Sequence, residues 1–237
     1  MYPNSNVRPI ELDYGTDERV VFNFFNAVYG WMAAGLGVTA AVGYFISQSP
    51  ALMQALFFNR VVIVALALGA WVVAMAAQNV ALRVGAAAGI ALYLVYATII
   101  GALISGIFLI YPNSTLIGAF VMTAGTFAIM SVYGFIAKTD LTKLGSILIM
   151  CVVGLFIASI VNIFLYSEAI SWLITYAVLA VFIGLTAYNT QKLKQIALSS
   201  ANNGNLASRY AVVGSIILYV SFINMFMSIL RIMGSRK

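Results

Sequence analysis

Near the end of the chain, Asn189, Ser221 and Asn224 carry the side chains best able to do chemistry in an otherwise apolar sequence. Ser221, Asn224 and Ser228 recur at steps of three and four, so one helical face carries all three, with Gly214 a turn or two below. Thr186, Asn189 and Thr190 cluster in "GLTAYNTQKLK", with Tyr188 and Gln191 beside them. Ser159, Asn162 and Tyr166 make a third row. An asparagine in hydrocarbon is costly unless its amide is paired, so these rows are expected to face into a bundle. Two chemistries fit them. One is interhelical hydrogen bonding, worth about 0.6 kcal/mol on average and up to about 1.7. The other is a polar pathway or gate.

Groups for other chemistries are missing. There is no histidine, which excludes a Ser–His dyad and a His-rich zinc site. The six acids, Glu11, Asp13, Asp17, Glu18, Asp140 and Glu168, fall in the N-terminal tail or in loops. No pair of carboxylates therefore faces across a span, as an intramembrane aspartyl protease requires, and no ionisable relay of a proton-driven carrier is visible. The last apolar run has no lysine for a Schiff base, and no GxxxxGK loop cradles a phosphate. The chain is expected to be no enzyme and to hold no cofactor or resident metal. Cys151, alone in an apolar run, is read as a small buried core residue.

These side chains must be positioned by membrane helices. Of 237 residues, 63% are hydrophobic and 8% charged, whereas a soluble domain needs roughly 25% charged residues to wet its surface. Apolar runs near 22–46, 61–80, 86–110, 115–137, 144–166, 169–190 and 210–232 are each long enough to cross a bilayer. The fold class is an all-α integral membrane protein, a seven-helix bundle over 22–237 behind a polar tail at 1–21. Short joins make consecutive helices antiparallel neighbours. The only linker candidates are that tail and the Ser/Asn/Gly-rich stretch near 199–205. The first twenty residues lack the pattern of a cleaved signal. In the tail, Thr16 reads as a helix cap with Asp17 and Glu18 at the positive end of the dipole.

Basic residues set the orientation. Arg8, Arg19, Arg83, Lys138, Lys143, Lys192, Lys194 and Arg209 share one side, and Arg60, Arg231, Arg236 and Lys237 the other. That bias places the N-terminus in the cytoplasm and the C-terminus outside. The net charge of +6 is thus a topology signal, and no nucleic-acid partner is expected. Small residues at four-residue spacing mark helix seams: Gly35, Thr39 and Gly43; Ala97, Gly101 and Ser105; Gly154 and Ala158. Trp31, Trp172 and Tyr111 suit the membrane interfaces, while Tyr93, Tyr96, Tyr133 and Tyr219 lie deeper and need partners inside the bundle.

Three stretches, "FVMTAGTFAIMSVYGFIAKTDLTKLGSILIM", "GLTAYNTQKLK" and "LYVSFINMFMSILRIMG", together resemble the Bax inhibitor-1 family of membrane proteins, in its bacterial branch. The likeness runs from "VYGWM" at 28–32 to the C-terminus. It implies a seven-helix bundle whose last helix is central, wrapped by the other six. It also implies a pH-sensitive calcium leak, with calcium a weakly bound transported ion, and in some bacterial relatives modulation of a membrane-anchored AAA protease. The family's leak is associated with two aspartates, one ending the sixth helix and one in the seventh. A carboxylate pair of that kind shares a proton and titrates as a unit. Here the two positions read Asn189 and Ser221, and neither side chain ionises near neutrality. The resemblance thus implies a leak that is reduced or insensitive to pH, with Asn189, Ser221 and Asn224 on the path. Tyr188, Thr190 and Arg83 are accessory candidates, Arg83 either as the family's basic partner or as a topology charge. A direct Asn189–Ser221 hydrogen bond is expected. The alternative is a non-conducting regulator of another membrane protein. The expected home is the lipid bilayer of a bacterial cytoplasmic membrane.

Overall fold

Polar breaks between the apolar runs become helix ends, and most have a visible chemical cause. The computed structural model describes residues 14–234. It contains α1 (Tyr14–Ser47), α2 (Pro50–Phe57), α3 (Arg60–Arg83), α4 (Ala86–Ile104), α5 (Ile107–Ile110), α6 (Asn113–Ile136), α7 (Thr142–Leu165), α8 (Glu168–Ser199) and α9 (Gly204–Gly234). Asn59 caps α3 by accepting from the Val61 amide at 3.0 Å, and Ser167 caps α8 by accepting from Ile170 at 3.4 Å. Such caps satisfy amides that the helix leaves unpaired. Gly85, at φ 155°, turns α3 straight into α4. Among the described residues seven helical segments are long and apolar enough to span a membrane, with α4 and α5 together forming the third.

Three boundaries differ from expectation. Helix α1 starts at Tyr14, so Thr16 lies inside it and is not its cap. The join after the first span contains α2, begun by Pro50 behind the Ser49 cap. The linker near 199–205 shrinks to the turn at 200–203: α8 runs to Ser199, α9 starts at Gly204, and Asn203 accepts from the Leu206 amide at 3.1 Å. Lys, Gln, Ala and Leu are good helix formers, so the ladder continues past the point where apolarity stops. At 31 and 32 residues, α9 and α8 run about 45–48 Å, well beyond a hydrocarbon core of about 30 Å.

The last helix is central. In its apolar window 67% of residues are buried, against 0% for α7. Helices α1, α3, α4, α6 and α8 pack on α9, whereas α7 packs on α8. The ring around α9 is therefore made by five spans and not six. Only Gly145 of α7 is buried, and three expectations fall with it. Cys151 is exposed, Gly154 meets no neighbour within 4 Å, and the row Ser159–Asn162–Tyr166 does not enter the bundle. Asn162 instead accepts from the Ser167 amide at 3.2 Å, where Tyr166 adopts a left-handed conformation to end α7. Trp31 sits midway along α1 against the core rather than at an interface, and Tyr133 is 49% exposed on the lipid side.

Close backbone approaches hold the remaining spans together. The α1–α4 seam forms as expected: Gly35, Thr39, Gly43, Ala97, Gly101 and Ser105 are all buried. A methyl group on Gly101 would lie 2.7 Å from the Thr39 carbonyl oxygen. The tightest approach joins α6 to α8, where a Cβ on Gly134 would collide with the Ala187 carbonyl. Backbone cannot rotate aside as a side chain can, so Gly134→Ala should cost about 1–3 kcal/mol through overpacking. Thermal unfolding in detergent should register the loss, while Gly154→Ala, in open space, should leave the melting temperature unchanged.

Candidate functional site between α8 and α9

Most side chains of the α8 end have a traceable destination. Thr186 donates to the Phe182 carbonyl and Thr190 to the Thr186 carbonyl, each at 2.8 Å along their own helix. The Tyr188 ring covers Gly145 of α7, with the Lys192 ammonium 5.9 Å from its centroid. Gln191, buried, reaches the α6–α7 connection: its amide donates to the Ala137 and Thr139 carbonyls at 3.2 and 2.8 Å, and its oxygen accepts from the Leu141 amide at 2.9 Å. Leu193 fills the notch at Gly214 of α9. Lys194 donates to the Phe135 carbonyl at 3.0 Å and lies 4.5 Å from the centre of that ring.

Across the interface, α9 also bonds to itself. Ser221 donates to Ile217 at 3.2 Å, the Asn224 amide to Val220 at 2.8 Å, and Ser228 to Asn224 at 2.9 Å. Asn189, half-buried, makes no side-chain hydrogen bond among the described residues. The expected Asn189–Ser221 bond is absent, because a serine hydroxyl in a helix finds an acceptor one turn back at little conformational cost. Asn224 and Ser228, with Thr175 of α8, line a cleft of about 330 Å³ whose rim carries Tyr111 and Arg231. Arg231 donates to Ser171 at 2.6 Å and stacks on Trp172 at 5.3 Å, so Trp172 and Tyr111 do sit at a helix-end rim.

The charges stay at the ends. Glu18, Asp140 and Glu168 are exposed, while Glu11, Asp13 and the side chain of Asp17 lie outside the described residues. The Thr142 hydroxyl, and after it the Thr142 amide, hold the Asp140 carboxyl below its ordinary range. A lowered acid stabilises the fold above the ordinary carboxyl value and loses that contribution only as pH falls through the lowered one. Asp140 is thus indifferent to pH changes near neutrality. No cluster of three metal-ligating residues occurs among the described residues.

Arg83 does not join the site. It is exposed in the last turn of α3 and forms no ion pair or hydrogen bond among the described residues. The arginine that enters the bundle is Arg209 of α9, half-buried, which donates to the Leu82 carbonyl at 2.8 Å. A basic residue in a helix-breaking neighbourhood reads as a topology charge, so the sequence held no sign of that role.

A second polar centre lies deeper. The Thr39 hydroxyl donates to the Ala97 carbonyl at 2.9 Å and shares a 2.6 Å hydrogen bond with the Tyr219 hydroxyl. Tyr93 and Tyr96 stand edge-on to Tyr219, with ring centroids 5.5 and 5.6 Å away. Thr39→Val would strand the Tyr219 hydroxyl in the core, whereas Tyr219→Phe would leave Thr39 still bonded to Ala97. The first should therefore cost about 1–3 kcal/mol and the second about 1 or less; unfolding of the two variants side by side checks that asymmetry.

Residues 21–237 match the family model described as inhibitor of apoptosis-promoting Bax1. The chain belongs to the Bax inhibitor-1 family. It is 39% identical over 212 residues to the inner membrane protein YbhL of Escherichia coli K12, covering 89% of this chain and 90% of that protein. A protein of Borreliella burgdorferi is 36% identical over 229 residues, 96% of this chain and 99% of its own. One from Deinococcus radiodurans is 39% identical over 217 residues, 91% and 92% of the two chains. Against that background, this member of the Bax inhibitor-1 family carries an amide at 189 on α8 and a hydroxyl at 221 on α9, both neutral.

Proposed function

We propose that this protein is a non-enzymatic cation leak of a bacterial inner membrane whose open–closed balance does not respond to pH near neutrality. One observation carries the reading: α8 and α9, which pack on each other, carry the neutral side chains Asn189 and Ser221, and the carboxylates of Glu18, Asp140 and Glu168 are exposed. Without a carboxylate pair to share a proton, nothing at that contact changes charge over roughly pH 6–8. Calcium would pass weakly held, since it prefers several oxygen ligands including carboxylates. The inner-membrane location follows the YbhL relative. A cytoplasmic N-terminus follows the excess of basic residues at that end of the bundle.

A second reading is favoured by the packing around Ser221. Leu218, Tyr219, Ser221 and Met225 are no more than 2% exposed, which leaves little room for an ion. On that reading the protein is a non-conducting regulator of another membrane protein, such as a membrane-anchored protease. Calcium-indicator flux in vesicles carrying the purified wild type separates the two. Flux above that of empty vesicles supports the leak, and its absence supports the regulator.

A further inference from the structure

Helices α1 and α6 touch at one end and part at the other. Edge-to-face contacts hold them together where Phe25 meets Phe135, at 5.4 Å between ring centres, and where Tyr29 meets Phe127, at 6.3 Å. Further along, Leu36 and Ala40 of α1 and Ile117 and Phe120 of α6 line the walls of a cavity of about 280 Å³. Phe222 and Phe226 of the central helix form its floor. The mouth faces the membrane, where Ile117 is 65% and Phe120 49% exposed; Phe222, at the back, is 4% exposed.

The lining selects the guest. Its one polar residue is Thr39, whose hydroxyl is already engaged by the Ala97 carbonyl and the Tyr219 hydroxyl. An ion, a water chain or a lipid headgroup would find no partner there. An apolar cavity of about 150 Å³ stays dry and accepts benzene, so this larger one accepts a longer hydrocarbon. A helix about 10–12 Å across does not fit. Left empty, the walls would forgo dispersion contacts that a filling chain restores. We infer that the crevice binds the acyl chain of a membrane phospholipid, which enters between α1 and α6 and reaches Phe222 on the central helix. The inference needs only the membrane fold and is independent of whether the protein leaks ions.

Photolabelling tests it. The full chain is reconstituted in phosphatidylcholine bilayers containing a phosphatidylcholine with a mid-chain diazirine, irradiated, and its adducts mapped by mass spectrometry. Adducts are expected on Phe222 and Phe226 as well as on Ile117 and Phe120. Ala40→Phe, which fills the mouth, should lose the Phe222 and Phe226 adducts and keep those on the lipid-facing α7 residues Ile149 and Phe156. Wild-type adducts confined to Ile117, Phe120 and α7 would overturn the inference, with no variant required. So would Phe222 labelling that survives in Ala40→Phe, or labelling that disappears as protein density in the membrane rises, which would assign the crevice to a second copy.

Discussion

Aspartate at both 189 and 221 should turn the protein into a pH-responsive leak, with calcium flux into vesicles changing steeply near neutrality. Ser221 is 2% exposed and Asn189 half-buried, so each new carboxyl would lose hydration and its pKa would rise. Together they would share one proton and titrate as a pair. Loss of that proton sets two like charges against each other between α8 and α9. There Ser221 and Asn224 bond within their own helix, and the one side-chain bridge among the described residues, Arg231 to Ser171, lies at the far end of α9. Ser221→Asp alone should behave differently. A carboxylate taken out of water without a partner costs several kcal/mol once ionised. Because its folded pKa is raised, stability should fall as pH climbs from the ordinary carboxyl value toward the raised one. Flux and unfolding, followed across pH for the single and double variants, check both statements. If the double variant stayed as flat as the wild type, positions 189 and 221 would not form the contact assigned to them.

Gln191→Leu should be the most damaging single substitution at the α8 end. The side chain is 9% exposed and completes two carbonyls and one amide of the α6–α7 connection. Leucine fills similar space and leaves all three groups unpaired. At about 1–3 kcal/mol for a stranded buried group, and with some recovery by water, the loss should be about 3 kcal/mol. Gln191→Glu keeps the acceptor for Leu141 but aims a carboxylate at the Ala137 and Thr139 carbonyls, so it should not rescue. Lys138 and Lys143 flank the connection and are exposed. Trypsin should therefore cut there faster in the leucine variant, a readout separate from global unfolding.

Residue periodicity explains what could be read in advance and what could not. The spans were legible because about 20 consecutive apolar residues have few other uses. The α1–α4 seam was legible because small residues at four-residue steps permit close backbones, and Gly101 against Thr39 bears that out. Tyr93 and Tyr219 found hydrogen-bonding partners as buried tyrosines must. Periodicity says which residues share a face, however, and not where that face points. In water an apolar stripe identifies the inside; in lipid, inside and outside are both apolar. Cys151, Gly154, Tyr133 and the Ser159–Asn162–Tyr166 row were therefore turned the wrong way. Helix α7 has few polar residues to betray that it lies on the periphery. At the site, Asn189 and Ser221 were found on helices that pack together. That Ser221 and Asn224 bond within their own helix, while Asn189 makes no side-chain hydrogen bond among the described residues, depends on rotamers that spacing does not encode.

The most direct test of the neutral α8–α9 contact is infrared difference spectroscopy of the lipid-embedded wild type, stepped through roughly pH 6–8, where a desolvated carboxyl pair would titrate. The prediction is that no protonated-carboxyl band appears or disappears across that range. A carboxyl C=O band that titrates near neutrality in the wild-type chain would contradict it.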